Sequence, residues 1–388
     1  MRTGTTVLVN GLCRLMEETV ANPDRTALSH EQPPEPEPHP IRGTARGDAP
    51  VPLSVLDLAP VGRETTPGHA LSTTTELARS AERLGYHRFW VAEHHGMPGI
   101  ASSSPAVLIS HLAGATNTLR LGSGGVMLPN HTPLAVAEQF GTLQALYPDR
   151  IDLGLGRAPG TDQGTARALR RTTGQLSADD FPQQLGELIA FLEDDFPADH
   201  PYADVHAIPH GSVPPVWLLG SSGFGAQVAG ALGLPFSFAH HFSSANTMPA
   251  LKLYRDSFQP SSVLDEPYAK IGVQAIAAET DEEALEIARP IALSMLRLRM
   301  GSPGRMPSRQ EAAEYPYTER EQAFVDSWLS DAVYGSAATV RSELDELCER
   351  TGVDELMLTA NIYDRQAKLR SYELIAQAYR FPGAAAAK

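Results

Sequence analysis

Eight near-continuous apolar runs, each separated from the next by a helical segment, constrain this chain more than any other feature. They are Leu53 to Ala59, Arg88 to Ala92, Leu119 to Leu128, Ile151 to Leu155, Val216 to Leu219, Phe236 to Ala239, Lys270 to Ala278 and Glu355 to Ala360. Strands without polar alternation are covered on both faces, which helical crossovers achieve in a parallel sheet. Eight such units are the count of a closed (β/α)8 TIM barrel. The rival is an open doubly wound sheet, but Leu58-Ala59-Pro60-Val61-Gly62 in the first unit holds one glycine where a dinucleotide fold carries Gly-x-Gly-x-x-Gly.

The helical segments carry their own punctuation. Thr132-Pro133 precedes Val136, Phe140, Leu143 and Tyr147 at helical spacing, and Ser336 precedes Val340, Leu344 and Leu347, with Gly352 as the stop. Two crossovers are long. Gly160 to Pro215 follows strand 4 and contains a helix near Pro182 to Phe196; a second insertion, about residues 301 to 335, follows strand 7. Long insertions at a barrel mouth serve as lids or substrate walls, or are passive excursions.

Residues 1–50 read as an extension or linker and residues 51–388 as the barrel. The run Glu31-Gln32-Pro33-Pro34-Glu35-Pro36-Glu37-Pro38-His39-Pro40 removes backbone donors and favours poorly ordered, extended chain, with a short helix at residues 11–20 as the one exception. The chain has a net charge of −15 and no basic stripe, which argues against nucleic acid or an anionic membrane as partner. Cys13 and Cys348 are the only thiols, and neither belongs to a metal or redox spacing, so a reducing, cytoplasmic location is expected. No secretory signal or membrane-length apolar run is seen.

Chemistry-bearing residues gather where the apolar runs end. Glu93-His94-His95 follows Phe89-Trp90-Val91-Ala92; Gly124-Gly125 interrupts the third run; Arg157 follows Ile151-Asp152-Leu153-Gly154-Leu155-Gly156; Ser221-Ser222-Gly223 follows strand 5 and opens a helix. In a barrel, the carboxyl ends of the strands converge on one mouth, so these residues are brought together. A guanidinium donates two parallel hydrogen bonds to a phosphate, and free N–H groups at a helix start donate to the same ligand. An imidazole whose unperturbed pKa is about 6.5 suits proton transfer. A glycine bulge accounts for Gly124-Gly125 as readily as a cofactor contact does. His94-His95 with His240-His241 invite a metal, yet no Asp or Cys completes a ligand spacing, and no metal is expected.

Four ordered segments, Trp90 to Ser104, Leu121 to Pro133, Ile151 to Gln163 and Val216 to Pro235, resemble the bacterial luciferase-like monooxygenase superfamily, in its single-subunit branch. The similarity runs from about residue 53 to 380. It implies a barrel that binds FMN, delivered in reduced form by a separate flavin reductase, and activates O2 to oxygenate a small organic substrate. His94 matches the catalytic histidine, and Glu93 is assigned to the catalytic pair, either orienting the histidine or staying as a buried hydrogen-bond partner. Asp57, Gly124, Gly125, Arg157, Leu219, Ser221, Ser222 and Gly223 are assigned to the cofactor, Gly124-Gly125 at the position of a non-proline cis peptide and Arg157 at the flavin phosphate. His240, His241 and Pro159 are assigned to the substrate pocket. Ser221, Gly225 and Gly156 depart from the glutamate, threonine and cysteine of the luminous α subunit, which separates this chain from light-emitting oxidation of long-chain aldehydes. The resemblance further implies a homodimer through the helices after strands 2 and 3, where Ala106 to Thr116 carries Ala113-Gly114-Ala115. Branch relatives include enzymes that tailor bacterial secondary metabolites such as polyketides. Two alternatives stay open: F420-dependent hydride transfer on the same fold, and a catalytically silent flavin-binding protein.

Overall fold

The computed structural model describes residues 41–158, 160–170 and 180–384. The expected helix at 11–20 and the proline-rich run lie outside them, as does Pro159. Among the described residues there are ten strands: β1 (Leu53–Asp57), β2 (Arg88–Val91), β3 (Arg120–Ser123), β4 (Val126–Met127), β5 (Ile151–Gly156), β6 (Val216–Gly220), β7 (Phe236–Phe238), β8 (Ala269–Ala278), β9 (Val333–Ser336) and β10 (Glu355–Thr359). Every strand pairing is parallel, and β10 closes the sheet by pairing with β1 on one side and β8 on the other. The fold is therefore a closed (β/α)8 barrel, as the eight apolar runs imply.

Two differences separate ten strands from eight. The third run is divided by a cis peptide at Gly124-Gly125 into β3 and β4, both of which pair with β5. The backbone is crowded there: a Cβ on Gly125 would stand 2.8 Å from the Gly154 carbonyl oxygen, and one on Gly124 2.7 Å from the Leu56 side chain. The second difference is β9, which pairs with Ala275 to Ala278 in the upper half of the long β8. Val333-Tyr334-Gly335-Ser336 is too short and too mixed to announce itself as a strand.

Three helices start with the same grammar of a hydroxyl residue followed by proline: Pro67–Leu84 after Thr66, Pro105–Ala115 after Ser104, and Pro133–Leu146 after Thr132. Proline at the first helical position loses no hydrogen bond, because that N–H has no intrahelical partner. Thr66 adds a side-chain cap, its Oγ1 accepting from His69 N at 3.1 Å. Helix Ala337–Thr351 is capped by Ser336 and ends at Gly352 in the left-handed region.

The floor of the barrel is filled by charge. Arg88 donates to Asp152 at 2.7 Å and lies 2.9 Å from Glu355; Arg120 reaches the other Asp152 oxygen at 2.6 Å. Lys270 sits 3.8 Å from Glu355 and 3.1 Å from the centre of the Trp90 ring. Arg88, Asp152, Lys270 and Glu355 are all fully buried, and each anion accepts further bonds, from Trp90 Nε1 to Asp152 and from Ser54 and Tyr268 to Glu355. Residues 41–50 reach this end: the Ile41 carbonyl accepts from Arg88 at 2.6 Å, and its buried side chain packs with Trp90, Trp217 and Tyr268.

Both long crossovers rise from the opposite end. The first carries helices Gln163–Arg170 and Phe181–Glu193; the second carries Asp281–Arg299, Arg309–Glu314 and Glu319–Asp331. The second has a small core of its own, built from Ala292, Leu293, Leu296, Ala312 and Val325. Its loop is tied across the top of β1, where Met306 N donates to the Val61 carbonyl at 2.9 Å.

Candidate active site

Above the charged floor the barrel opens into a cavity of about 360 Å3. Period-two alternation decides which residues reach it. At the end of β1, Leu56 and the following Leu58 face the cavity, while Asp57 between them faces the helical layer. Its carboxylate is bonded to the Lys368 ammonium and accepts from Thr74 Oγ1 at 2.5 Å. Asp57 is thus not brought to the cavity that its assignment to the cofactor required; it ties β1 to helices Pro67–Leu84 and Arg365–Ala378.

His94 does line the cavity. Its Nδ1 lies 3.3 Å from the Gly160 carbonyl oxygen, and its backbone N–H donates to Ser102 O at 3.1 Å. A carbonyl only accepts, so Nδ1 carries the proton and Nε2 is the free base. Burial lowers the imidazole pKa, opposed by the Gly160 bond and the nearby Glu93 charge.

Glu93 stands behind that wall, fully buried, and does not line the cavity. Its Oε1 accepts from His95 at 2.8 Å, His131 at 2.9 Å and Asn130 at 3.2 Å, and its Oε2 accepts from Met127 N at 3.0 Å. Burial alone would raise this carboxyl, but the bonds from His131, His95 and Met127 N hold it below its usual value. The carboxylate therefore locks the end of β2 to the segment after β4. It fixes the backbone from which His94 projects.

On the other side of the mouth, Arg157 follows β5 and its guanidinium carbon lies 4.1 Å from the centre of the Phe224 ring. Among the described residues no carboxylate pairs with it. Phe224 belongs to the first turn of helix Gly223–Ala231, whose N-cap residue Ser222 makes no side-chain cap bond. Leu219, Ser221 and Ser222 line the cavity beside Arg157, and Gly223 begins the helix directly behind them. A free cation and unused N–H groups of a helix start on one wall form a receptor for a phosphate-sized anion. Gly124 reaches the cavity from the cis peptide, whereas Gly125 is turned toward Gly154.

The histidine pair after β7 divides. His241 faces the cavity, with Nδ1 2.9 Å from the Gly272 carbonyl oxygen. His240 is turned away, buried against Thr247 Oγ1 at 2.7 Å. Within the short 3-10 segment His240–Phe242, His240 and His241 point in different directions, while Phe242 joins His241 at the cavity. His240 is thus not brought into the pocket to which it was assigned. Among the described residues no group of histidines, cysteines and carboxylates is arranged to hold a metal ion.

Sequence reasoning offered the long insertions as lids or walls but named no residue of the roof. Ile291, Ser294, Met295 and Leu298 on helix Asp281–Arg299, with Met306 and Trp328 from the second insertion, close the cavity, and Phe181 reaches it from the first. It also missed Gln274 on β8 and Asn361 after β10. Gln274 could have been found by counting in twos from Lys270 through Gly272.

The sequence pattern of the luciferase-like monooxygenase family matches residues 51–355. A protein of that name from Escherichia coli (strain K12) is 46% identical over 329 residues, covering 84% of this chain and 96% of that protein. The N-acetyl-S-alkylcysteine monooxygenase of Bacillus subtilis (strain 168) is 35% identical over 331 residues, covering 84% of this chain and 97% of that one. Among solved structures, apo-MsnO8 is 39% identical with a TM-score of 0.79, covering 85% of this chain and 99% of that one. Two more distant structures share the fold alone. The oxygenating constituent of 3,6-diketocamphane monooxygenase from Pseudomonas putida, solved with FMN, is 19% identical with a TM-score of 0.63, covering 86% of this chain and 98% of that one. An F420-dependent secondary alcohol dehydrogenase is 14% identical with a TM-score of 0.63, covering 86% of this chain and 99% of that one.

Proposed function

The chain belongs to the luciferase-like monooxygenase family, and from that premise we propose that it is the oxygenase of a two-component flavin system, taking reduced FMN from a separate flavin reductase. O2 and a small organic substrate meet the flavin in the barrel cavity. One observation carries the choice of cofactor. Arg157, unpaired with any carboxylate among the described residues, shares a cavity wall with the open start of helix Gly223–Ala231. That donor set fits a terminal phosphate, and the glycines at 124 and 156 let a flat ring approach the backbone.

Bound reduced flavin supplies the electrons that activate O2, so that one oxygen atom enters the substrate and the other leaves as water. The protein's own part is to bind, orient and keep dry. Arg157 and the helix start hold the phosphate. His94, with its proton fixed on Nδ1 by Gly160, presents Nε2 to accept or return a proton in the cavity. Leu56, Met97, Met295 and Trp328 exclude water from the reacting atoms.

Anaerobic titration with reduced FMN and, in parallel, reduced F420 tests the reading. Tighter binding of FMN, followed by a transient absorbance on mixing with aerated buffer that is distinct from oxidised and reduced flavin, is the expected result. Preference for F420 would move the chemistry to hydride transfer, and failure to bind either cofactor would leave a silent barrel.

A further inference from the structure

Among the described residues two imidazoles face this cavity, and only one is needed for proton handling at the flavin. The other, His241, packs on the Phe242 ring and makes its hydrogen bond to backbone. Its Nδ1 lies 2.9 Å from the Gly272 carbonyl oxygen, so Nδ1 carries the proton and Nε2 is left as a lone-pair acceptor. A Cβ at position 272 would stand 2.8 Å from Nδ1, so the ring occupies this place only because residue 272 is glycine. Nε2 meets no donor among the described residues. Burial pushes the imidazole pKa down to about 4, which keeps it a neutral acceptor rather than a cation.

Gln274 stands two residues farther along the inward face of β8, about 7 Å on by strand geometry. It lines the same cavity, is 5% exposed, and its amide nitrogen has no partner among the described residues. The surroundings are apolar: Phe238, Phe242, Met295, Leu298 and Trp328. Polar groups embedded in such a wall discriminate strongly, because a ligand that cannot meet them leaves them desolvated and unpaired.

We propose that His241 selects for a hydroxyl on the substrate, of the phenol or enol class, whose O–H donates to Nε2, while Gln274 donates to a second oxygen of the same molecule. The proposal rests on reading this cavity as the chamber where substrate meets flavin, but its test needs no cofactor.

The probes are para-nitrophenol, which has the hydroxyl and a distant acceptor, and para-nitroanisole, which has the hydroxyl methylated. Both are titrated into the flavin-free protein by calorimetry, at a pH below the phenol's own pKa. One neutral hydrogen bond sets the expected preference of the wild type for the phenol at about three- to tenfold. His241→Phe keeps the ring's shape and abolishes that preference; His241→Gln, whose amide oxygen accepts, restores part of it. Gln274→Leu weakens both probes alike and keeps their ratio. Circular dichroism and thermal melting confirm that each variant is folded. No preference in the wild type, a preference that survives His241→Phe, or one that is lost instead in His94→Phe would overturn the proposal. Loss of FMN affinity in His241→Phe with an unchanged probe ratio would assign the imidazole to the flavin and overturn it as well.

Discussion

The guanidinium of Arg157 stacks 4.1 Å above the ring of Phe224, joining the end of β5 to the first turn of the next helix. The stack holds the cation in place before any anion arrives. It also leaves the N–H edges of the guanidinium free to donate. Replacing Arg157 with Met removes charge-assisted bonds worth about 1.5–3 kcal/mol, so FMN affinity is expected to fall on the order of 10- to 100-fold. Fluorescence quenching of FMN by the two proteins measures it. An unchanged dissociation constant would remove the phosphate assignment.

His94→Ala is expected to lower turnover by roughly 100- to 10,000-fold, the usual range for a lost acid–base group. Flavin binding should change little, because the phosphate is held on the far wall. Since burial lowers the His94 pKa, the neutral form persists below the usual value, and the acid limb of the wild-type rate should fall below that of a free imidazole. Steady-state rates across pH, with a flavin-binding control, decide it.

Stability should drop as pH falls from about 6.5 toward 4. His87 and His241 are both pushed down to about 4, His87 by burial and then by Arg88, and His241 by burial. Above the unfolded value both states are neutral; below it the unfolded chain takes up protons that the folded one refuses. Each group therefore removes on the order of 3 kcal/mol between the two values. His87→Gln can still accept from Arg88, whose Nη2 lies 2.8 Å from His87 Nε2. Urea unfolding at a series of pH values should show a shallower slope for this variant over that interval.

The charged floor makes opposite forecasts for two neighbours. Arg88, Arg120 and Lys270 are three cations against two anions, Asp152 and Glu355. Glu355→Ala strands Arg88 beside Lys270 and should cost about 3–5 kcal/mol. Lys270 is the surplus cation: burial holds its pKa well below normal, and its Nζ has no hydrogen-bond partner among the described residues. Lys270→Met retains the packing on Trp90 and Trp217 and should be neutral or stabilising. Denaturant midpoints of the two variants separate these outcomes.

Periodicity made the barrel legible because strands buried on both faces look alike wherever they occur, and eight of them alternate with helices whose hydroxyl–proline starts are written in the chain. The candidate site was legible at His94, Arg157 and Ser221-Ser222 for a related reason: each sits one or two residues past an apolar run, and the fold sends all such positions to one mouth. Asp57 was misplaced because inside and outside on β1 differ by a single residue, and a carboxylate next to Leu58-Ala59-Pro60 carries no mark of which way it turns. The charged floor was hidden for a different reason. Arg88, Asp152, Lys270 and Glu355 lie on four different strands, far apart in sequence, and only closure of the sheet brings them into one layer of opposed charges. The roof over the cavity is supplied by an insertion whose path depends on long-range packing, which no local pattern reports.

With its lower end stoppered by Ile41, two indoles and five interlocked charges, the cylinder is a blind alley. Nothing that enters at the mouth leaves through that end. Whichever molecule lodges deepest comes to rest on Trp90, the part of the plug that also lines the cavity.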